Sequence, residues 1–123
     1  MIIFHQGLKK TILFTPQGEE SLGEAEAKVP GNQRSCVAQL RGLLKRFGDV
    51  GKLQSPEQLR HESDGIYAVR ARCGLRAYGW LDHDYNNSVA LFVVGHCVLK
   101  KTQKLSSADL ERVKKEREIY REG

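Results

Sequence analysis

Long apolar runs, the residue pattern of a signal peptide and the short signatures of common catalytic sites do not occur in this 123-residue sequence. No apolar stretch reaches the roughly 18 residues that a membrane-spanning helix needs. The first residues, MIIFHQGLKK, lack the basic-then-apolar order of a signal peptide. These absences predict a cytoplasmic protein with no membrane association. The chain also lacks a nucleophile elbow, a Walker loop, GxGxxG and HExxH, so no standard enzyme motif indicates its chemistry.

Cysteine is scarce and poorly spaced for a covalent or metal framework. Cys36, Cys73 and Cys97 are odd in number and far apart, and no Cys-x-x-Cys occurs. Such a pattern argues against a disulfide scaffold and gives little support to a zinc site. We therefore expect three reduced, mostly buried thiols, and neither a metal nor another cofactor.

Basic residues exceed acidic ones, and the chain has the size of one domain. The net charge is +5, with 40% hydrophobic and 28% charged residues, which is typical of a globular protein. Residues 31–63 carry six basic side chains against three acidic ones, and residues 64–123 carry eleven against eight. A surplus of this size suits a polyanionic partner, although many basic surfaces are only solvated faces. We expect a single domain over residues 1–123.

The first half of the chain gives mixed signals. Residues 1–30 are atypical: residues 11–15 predict a short strand, and Pro16, Gly18 and Gly23 then break the pattern. Residues 31–63 are predicted to be helical, with Asn32 as N-cap and Gly48 as the C-terminal stop. The helical apolar stripe consists of Cys36, Leu40, Leu43, Leu44 and Phe47. The segment SPEQLRHE could add one short helix.

The period changes to two after residue 64, which predicts strands over residues 66–72, 76–81 and 88–98. Short connections between them favour an antiparallel meander over residues 64–99, with the apolar third strand in the centre. Ser106 and Asp109 form a capping-box pattern that begins a C-terminal helix over residues 106–121. The fold class is therefore predicted to be α+β, with a small, largely antiparallel sheet and helices packed on one face.

Arginines cluster in the first predicted hairpin. A three-residue loop over residues 73–75 would place Arg76 opposite Arg72, so that Arg70, Arg72 and Arg76 share one face with Tyr78 and Trp80. A two-residue loop would put Arg76 on the other face, and we favour the longer loop. Arginines grip phosphate and aromatic rings stack on bases, so such a face suits RNA. The alternative is the polar outer face of a half-buried sheet.

Further candidates lie around the end of the third strand. His96 could move a proton near neutral pH, although a lone histidine there is more often structural. Lys100 and Lys101 follow at the connection to the last helix, where functional residues are often found on loops. The DHD sequence at 82–84 has metal-ligand residue types but reads as a turn.

A series of motifs runs through residues 40–121. It consists of a Tyr-x-x-Arg strand, a Gly and an Arg that open the next strand, an apolar strand ending in Gly-His, a KKTQK segment and a basic last helix. These features correspond to Tyr67, Arg70, Gly74, Arg76, Gly95, His96, residues 100–104, Arg117 and Tyr120. With them the chain resembles, over about two thirds of its length, the phage-derived, HigB-like branch of the RelE/ParE toxin superfamily.

The resemblance implies a RelE-like fold and a metal-independent endoribonuclease toxin. Relatives of this kind cleave mRNA on the ribosome by 2′-OH attack and are neutralised by a cognate antitoxin, here expected to be of the helix-turn-helix type. Carried over by position, Arg76, Arg70 and His96 would be catalytic. RNA would be bound by Arg72, Lys100, Lys101, Lys104 and Tyr120. Since some members inhibit gyrase instead, a non-catalytic binder of a host nucleic-acid machine stays open as the alternative.

Overall fold

The computed structural model describes residues 1–101 and 106–123 and contains one six-stranded sheet with the strand order β1-β2-β6-β5-β4-β3. The strands are β1 (Ile2–Gln6), β2 (Thr11–Phe14), β3 (Leu59–Ser63), β4 (Ile66–Arg70), β5 (Leu75–Asp84) and β6 (Val89–Leu99). The helices are α1 (Pro16–Ala27), α2 (Ser35–Val50) and α3 (Ser107–Glu122).

The predicted α+β class is confirmed, and the sheet is mixed. Strands β3 to β6 pair antiparallel, each with its neighbour in sequence, whereas β2 runs parallel to β6. The predicted third strand corresponds to β6 and lies inside the sheet, between β2 and β5.

Helices cover both faces of the sheet, so the prediction of helices on one face was wrong. Phe92 and Val94 of β6 belong to the apolar cluster with α1 and α2, whereas Val93 belongs to a second cluster with Val113 of α3. A strand that is apolar on both faces requires cover on both. The continuous apolar run of β6 was therefore itself evidence for a second helical layer.

The N-terminal 30 residues are more regular than their sequence indicated. Strand β1 lies at the sheet edge against β2, and α1 begins immediately after β2. Thr15 is the N-cap of α1, its Oγ1 accepting a hydrogen bond from the Gly18 N–H at 2.9 Å, and Pro16 takes the first helical position. The cap pattern was present in the sequence, but the two glycines concealed it.

Helix α1 covers the part of β6 that extends beyond β2. The pairing of β2 with β6 ends at Val94, whose carbonyl accepts from the Thr15 N–H at 3.0 Å. Ser21 Oγ then accepts from the Cys97 N–H at 2.8 Å. A Cβ on Gly18 would lie 2.3 Å from the Val94 oxygen. Close approach of α1 to β6 thus requires glycine at this position.

The apolar stripe of α2 is confirmed, but both of its predicted ends were wrong. All five predicted stripe residues are buried. Asn32 lies in a 3₁₀ turn, Gly31–Gln33, and α2 begins at Ser35 without a side-chain cap. Gly48 lies within α2, and the helix ends at Val50 with Gly51 as its C-cap, whose φ of 82° is left-handed.

The second short helix predicted within residues 31–63 is absent, because those residues form a turn and β3. Arg70 donates its N–H to the Gln58 carbonyl at 2.8 Å, and Leu59 pairs with Val69 of β4. Hydrogen bonds to a neighbouring strand outweigh the weak local preference for a helix.

The capping box of α3 is confirmed: Ser106 Oγ accepts from the Asp109 N–H at 3.1 Å. Val113 is fully buried against the sheet, and Arg117 donates to Asp64 Oδ2 at 2.8 Å in the turn between β3 and β4.

Among the described residues, no helix is long and apolar enough to cross a membrane. The cytoplasmic location stays a prediction.

The thiols depart from expectation. Cys36 and Cys73 form a disulfide with a Cα–Cα distance of 6.1 Å, and Cys97 is free and buried. The prediction of three reduced thiols was wrong because 37 residues separate the pair in sequence. Only the packing of α2 against the β4–β5 hairpin brings the two cysteines together.

Candidate functional site

A wide groove of about 1120 Å³ lies at the end of the β4–β5 hairpin. One wall comes from the connection between α1 and α2, another from the hairpin and the end of β6, and a third from residues 54–60. Its basic lining residues are Lys28, Arg60, Arg70, Arg72, Arg76, Lys100 and Lys101. Its acidic lining residue is Glu57. The groove therefore brings basic side chains from several separate segments of the chain into one strongly basic surface.

Of the three hairpin arginines predicted to share one strand face, Arg70 and Arg76 do so, and the register differs from the predicted one. The loop has three residues, 72–74, because the Ala71 N–H donates to the Leu75 carbonyl at 2.9 Å. Arg70 therefore lies directly opposite Arg76, and Arg72 lies in the loop. The loop lies one residue earlier along the chain than predicted but still has three residues, an odd number. Arg70 and Arg76 therefore still lie on the same face of the sheet.

Tyr78 and Trp80 share this face, but they are not open to a ligand. They are 0% and 1% exposed, and both pack in the apolar cluster beneath α3. The expectation of an open face with aromatic rings for base stacking was wrong, because α3 covers it. The same apolar alternation that predicted strands also fits a buried aromatic pair.

Positive charge is concentrated at the floor of the groove. Arg76 is only 2% exposed, and Arg70 lies opposite it. Burial, together with the charges of Arg76 and Arg60, lowers the pKa of Arg70, although guanidinium groups stay protonated in proteins. Glu62, whose Oε1 lies 3.8 Å from Arg60 Nε, opposes this effect. The floor is thus a partly compensated cluster of guanidinium groups.

Two basic residues of this groove, Lys28 and Arg60, were not among the predicted site residues. Lys28 is the C-cap of α1, and Arg60 lies on β3 facing the same side of the sheet as Ala68. The sequence predicted neither helix α1, at whose end Lys28 lies, nor strand β3. The basic excess of residues 31–63 was the only signal for Arg60, and no charge excess in residues 1–30 pointed to Lys28.

The two described lysines of the KKTQK segment have different surroundings. Lys100 Nζ lies 2.7 Å from Asp109 Oδ2, and its side chain is 14% exposed. Lys101 is exposed at the groove. Lys101 is therefore the better placed of the two to meet a diffusing anion. Lys104, which was predicted to bind RNA, lies outside the described residues.

His96 faces α3 and lies outside the lining of the groove. Its Nε2 lies 3.1 Å from Asp109 Oδ1, and its ring stacks on Tyr78 with centroids 6.4 Å apart. Burial lowers the pKa of His96, and Asp109 only partly offsets this. The imidazole is thus neutral near pH 7, and donation from Nε2–H to the ionised Asp109 is the tautomer that fits. His96 lines a separate cavity of about 190 Å³ between α1, β6 and α3.

Asp109 joins three groups. Besides His96 and Lys100, its Oδ2 accepts a hydrogen bond from Ser106 Oγ at 2.7 Å. The hydrogen bonds from Lys100, Ser106 and His96 outweigh burial and lower the pKa of Asp109. This carboxylate therefore connects the start of α3 to the end of β6.

Tyr120 lies away from the groove. Its ring packs on Trp80 with centroids 5.5 Å apart, and burial and Asp82 raise its pKa to about 12. The groove lining does not include Tyr120. Of the eight predicted site residues, the groove brings together Arg70, Arg72, Arg76, Lys100 and Lys101.

Among residues 1–101 and 106–123 there is no group of three or more His, Cys, Asp or Glu side chains that could hold a metal ion. In comparisons with known proteins, no family model matches the chain and no curated protein matches it.

Proposed function

We propose that this protein is a ribosome-dependent mRNA endoribonuclease, the toxin of a toxin–antitoxin system, and that its basic groove binds the RNA strand. The observation that carries the proposal is the groove lining, in which the described residues supply seven basic side chains against one acidic. The likeness of residues 40–121 to the HigB-like branch of the RelE/ParE superfamily supports it. A helix-turn-helix antitoxin is the partner that this likeness implies.

The chemistry requires charge stabilisation above all. The 2′-oxygen forms a bond to the adjacent phosphorus and the bond to the 5′-oxygen breaks, leaving a 2′,3′-cyclic phosphate and a 5′-hydroxyl. Negative charge grows on the phosphoryl oxygens in the transition state, and the guanidinium groups of Arg70 and Arg76 in the groove lining would stabilise it. One proton leaves the 2′-hydroxyl and one reaches the 5′-oxygen.

His96 is the weakest member of the proposed catalytic set. Its Nε2 is engaged with Asp109 and it lines the other cavity. A role in proton transfer requires the start of α3 to move when RNA binds.

The position of His96 favours one alternative, a non-catalytic binder of a host nucleic-acid machine, such as a gyrase inhibitor or an RNA-binding module. No histidine or tyrosine is among the described residues that line the groove. Such a groove binds phosphate, but its described lining contains no imidazole or phenol that could transfer a proton.

The two functions differ in whether cut mRNA appears. We would express the chain inducibly in bacteria and map mRNA ends by primer extension. A toxin yields new 5′-hydroxyl ends within translated regions, and Arg70→Ala abolishes them. Exposed Arg46, which lies outside the groove lining, provides the matched control Arg46→Ala.

Because Arg76 is buried, Arg76→Ala could lose activity by unfolding. A thermal melt of the purified variant therefore checks that it is folded. Growth arrest without new mRNA ends supports the binder. Cleavage that persists at the wild-type level in Arg70→Ala and in folded Arg76→Ala refutes the proposed catalytic site.

A further inference from the structure

The Cys36–Cys73 disulfide joins two walls of the basic groove. Cys36 lies in the first turn of α2, next to the wall formed by residues 28–33. Cys73 is the middle residue of the three-residue loop of the β4–β5 hairpin, between Arg72 and Gly74, which both line the groove. The bond therefore holds the hairpin loop against α2 and sets the separation of these walls.

Non-covalent links hold the same loop more weakly. The Arg72 N–H donates to Gln39 Oε1 on α2 at 3.0 Å, in an exposed position. On the other side, the Lys100 N–H donates to the Gly74 carbonyl at 2.9 Å. A single neutral hydrogen bond contributes about 1 kcal/mol, less than a disulfide typically does. The disulfide is thus the main connection between the loop and α2.

The body of α2 does not depend on this bond. Leu40, Leu44 and Phe47 are at most 3% exposed and pack in the main apolar cluster. Loss of the disulfide therefore frees the loop and the first turn of α2 while the helix stays on the sheet.

In the cytoplasm, which is the location predicted from the sequence, disulfides of mesophilic proteins are usually transient, catalytic or redox-sensing. We infer that Cys36–Cys73 is a redox-sensitive clamp on the groove: the oxidised protein holds Arg72 in place, and reduction releases the loop. The consequence for RNA affinity depends on the proposed function, whereas the release of the loop does not.

A cellular dithiol reductant supplies the two electrons and two protons. Its thiolate attacks the Sγ of Cys73, the less buried of the two, and the Cys36 thiolate leaves and is protonated. The second thiol of the reductant then attacks the mixed disulfide, which releases the Cys73 thiol and leaves the reductant as a disulfide.

The first measurement is a thiol count on protein trapped with an alkylating agent under non-reducing conditions. We expect one reactive thiol, Cys97, in the denatured oxidised protein and three after treatment with dithiothreitol. Three reactive thiols in protein exposed to air and to a mild thiol oxidant would overturn the inference.

The second measurement is amide hydrogen exchange over residues 71–75 in the oxidised and reduced 123-residue chain. We expect faster exchange there on reduction, with unchanged exchange in the core of α2. The Cys36→Ala/Cys73→Ala variant should exchange fast under both conditions, and Cys97→Ala should respond like the wild type. Equal exchange in the oxidised and reduced wild type would refute the clamp.

The third measurement is the affinity for a single-stranded oligoribonucleotide in both redox states. Reordering about one further residue on binding would weaken affinity by roughly 5- to 30-fold in the reduced protein. Equal affinities would show that the clamp does not regulate the groove. Absence of binding in both states refutes the proposed function instead, and the exchange data then decide the clamp alone.

Discussion

Arg70 lies directly opposite Arg76 across the β4–β5 pair, on the side of the sheet that α3 covers. The helix covers Tyr78 and Trp80 farther along β5, whereas the two arginines line the groove. Opposite residues in an antiparallel pair have Cβ atoms about 5 Å apart. Two guanidinium groups at this spacing repel each other and are well suited to share one phosphate.

Arg70 should therefore matter for affinity more than an exposed arginine elsewhere. We expect Arg70→Ala to lose about 1.5–3 kcal/mol of binding to a single-stranded oligoribonucleotide, roughly ten- to hundredfold in Kd. Arg46→Ala should bind like the wild type, since Arg46 lies outside the groove lining. Fluorescence anisotropy titrations measure both, and equal losses in the two variants would mean that the charge acts non-specifically.

Lys101 should contribute to the salt dependence of binding. Each phosphate contact on a single strand adds about 0.7 to the slope of log K against log salt. We expect Lys101→Ala to reduce the slope by about this amount, because Lys101 is exposed at the groove. Exposed Lys45, outside the lining, gives the control Lys45→Ala, whose slope should equal that of the wild type.

Stability should fall on mild acidification because of His96. Its pKa is lowered in the folded protein by burial, so below about 6.5 the unfolded chain binds more protons than the folded one. The contribution of neutral His96 to the free energy of unfolding is therefore complete above that pH and is lost as the pH falls below it. Of the charged groups that face His96, Asp109 has a lowered pKa and stays ionised in this range. Arg112 stays protonated, so Glu116 is the other carboxylate to test.

Urea unfolding at about pH 7.5 and about pH 5.5 tests this prediction. The drop in the free energy of unfolding between them should be smaller in His96→Gln than in the wild type. Exposed His61 supplies the control His61→Gln, which should retain the drop, and Glu116→Gln measures the other carboxylate. An undiminished drop in His96→Gln would show that His96 is not the group responsible.

Two glycines of α1 should respond to alanine with opposite signs. A Cβ on Gly18 would lie 2.3 Å from the Val94 oxygen, whereas a Cβ on Gly23 would have no neighbour within 4 Å. We expect Gly18→Ala to destabilise the fold by about 1–3 kcal/mol, as overpacking does. Gly23→Ala should stabilise it by about 0.5–1 kcal/mol through helix propensity. Urea unfolding of both variants checks this, and a neutral Gly18→Ala would contradict the close approach of α1 to β6.

Local sequence patterns identified the elements that depend on near neighbours. The stripe of α2, the strands β4 to β6 and the capping box of α3 follow from periodicity and from side chains three residues apart. They could be predicted because each element has one dominant pattern. Strand β1, helix α1 and strand β3 could not, because glycines weaken α1 and because β1 and β3 are stabilised by pairing with distant strands.

The amino-acid sequence by itself determined the alternation along β4 and β5, which puts Arg70 and Arg76 on one face when the hairpin loop has an odd number of residues. The structure gives the loop three residues. The tertiary structure alone decided what surrounds the two arginines. Packing of α3 buried Tyr78 and Trp80 and turned His96 towards Asp109. Packing of α2 brought Cys36 to Cys73, and packing of α1 against β6 added Lys28 to the groove. These relationships join residues far apart in the chain, and their physical cause is the need to cover both apolar faces of the sheet.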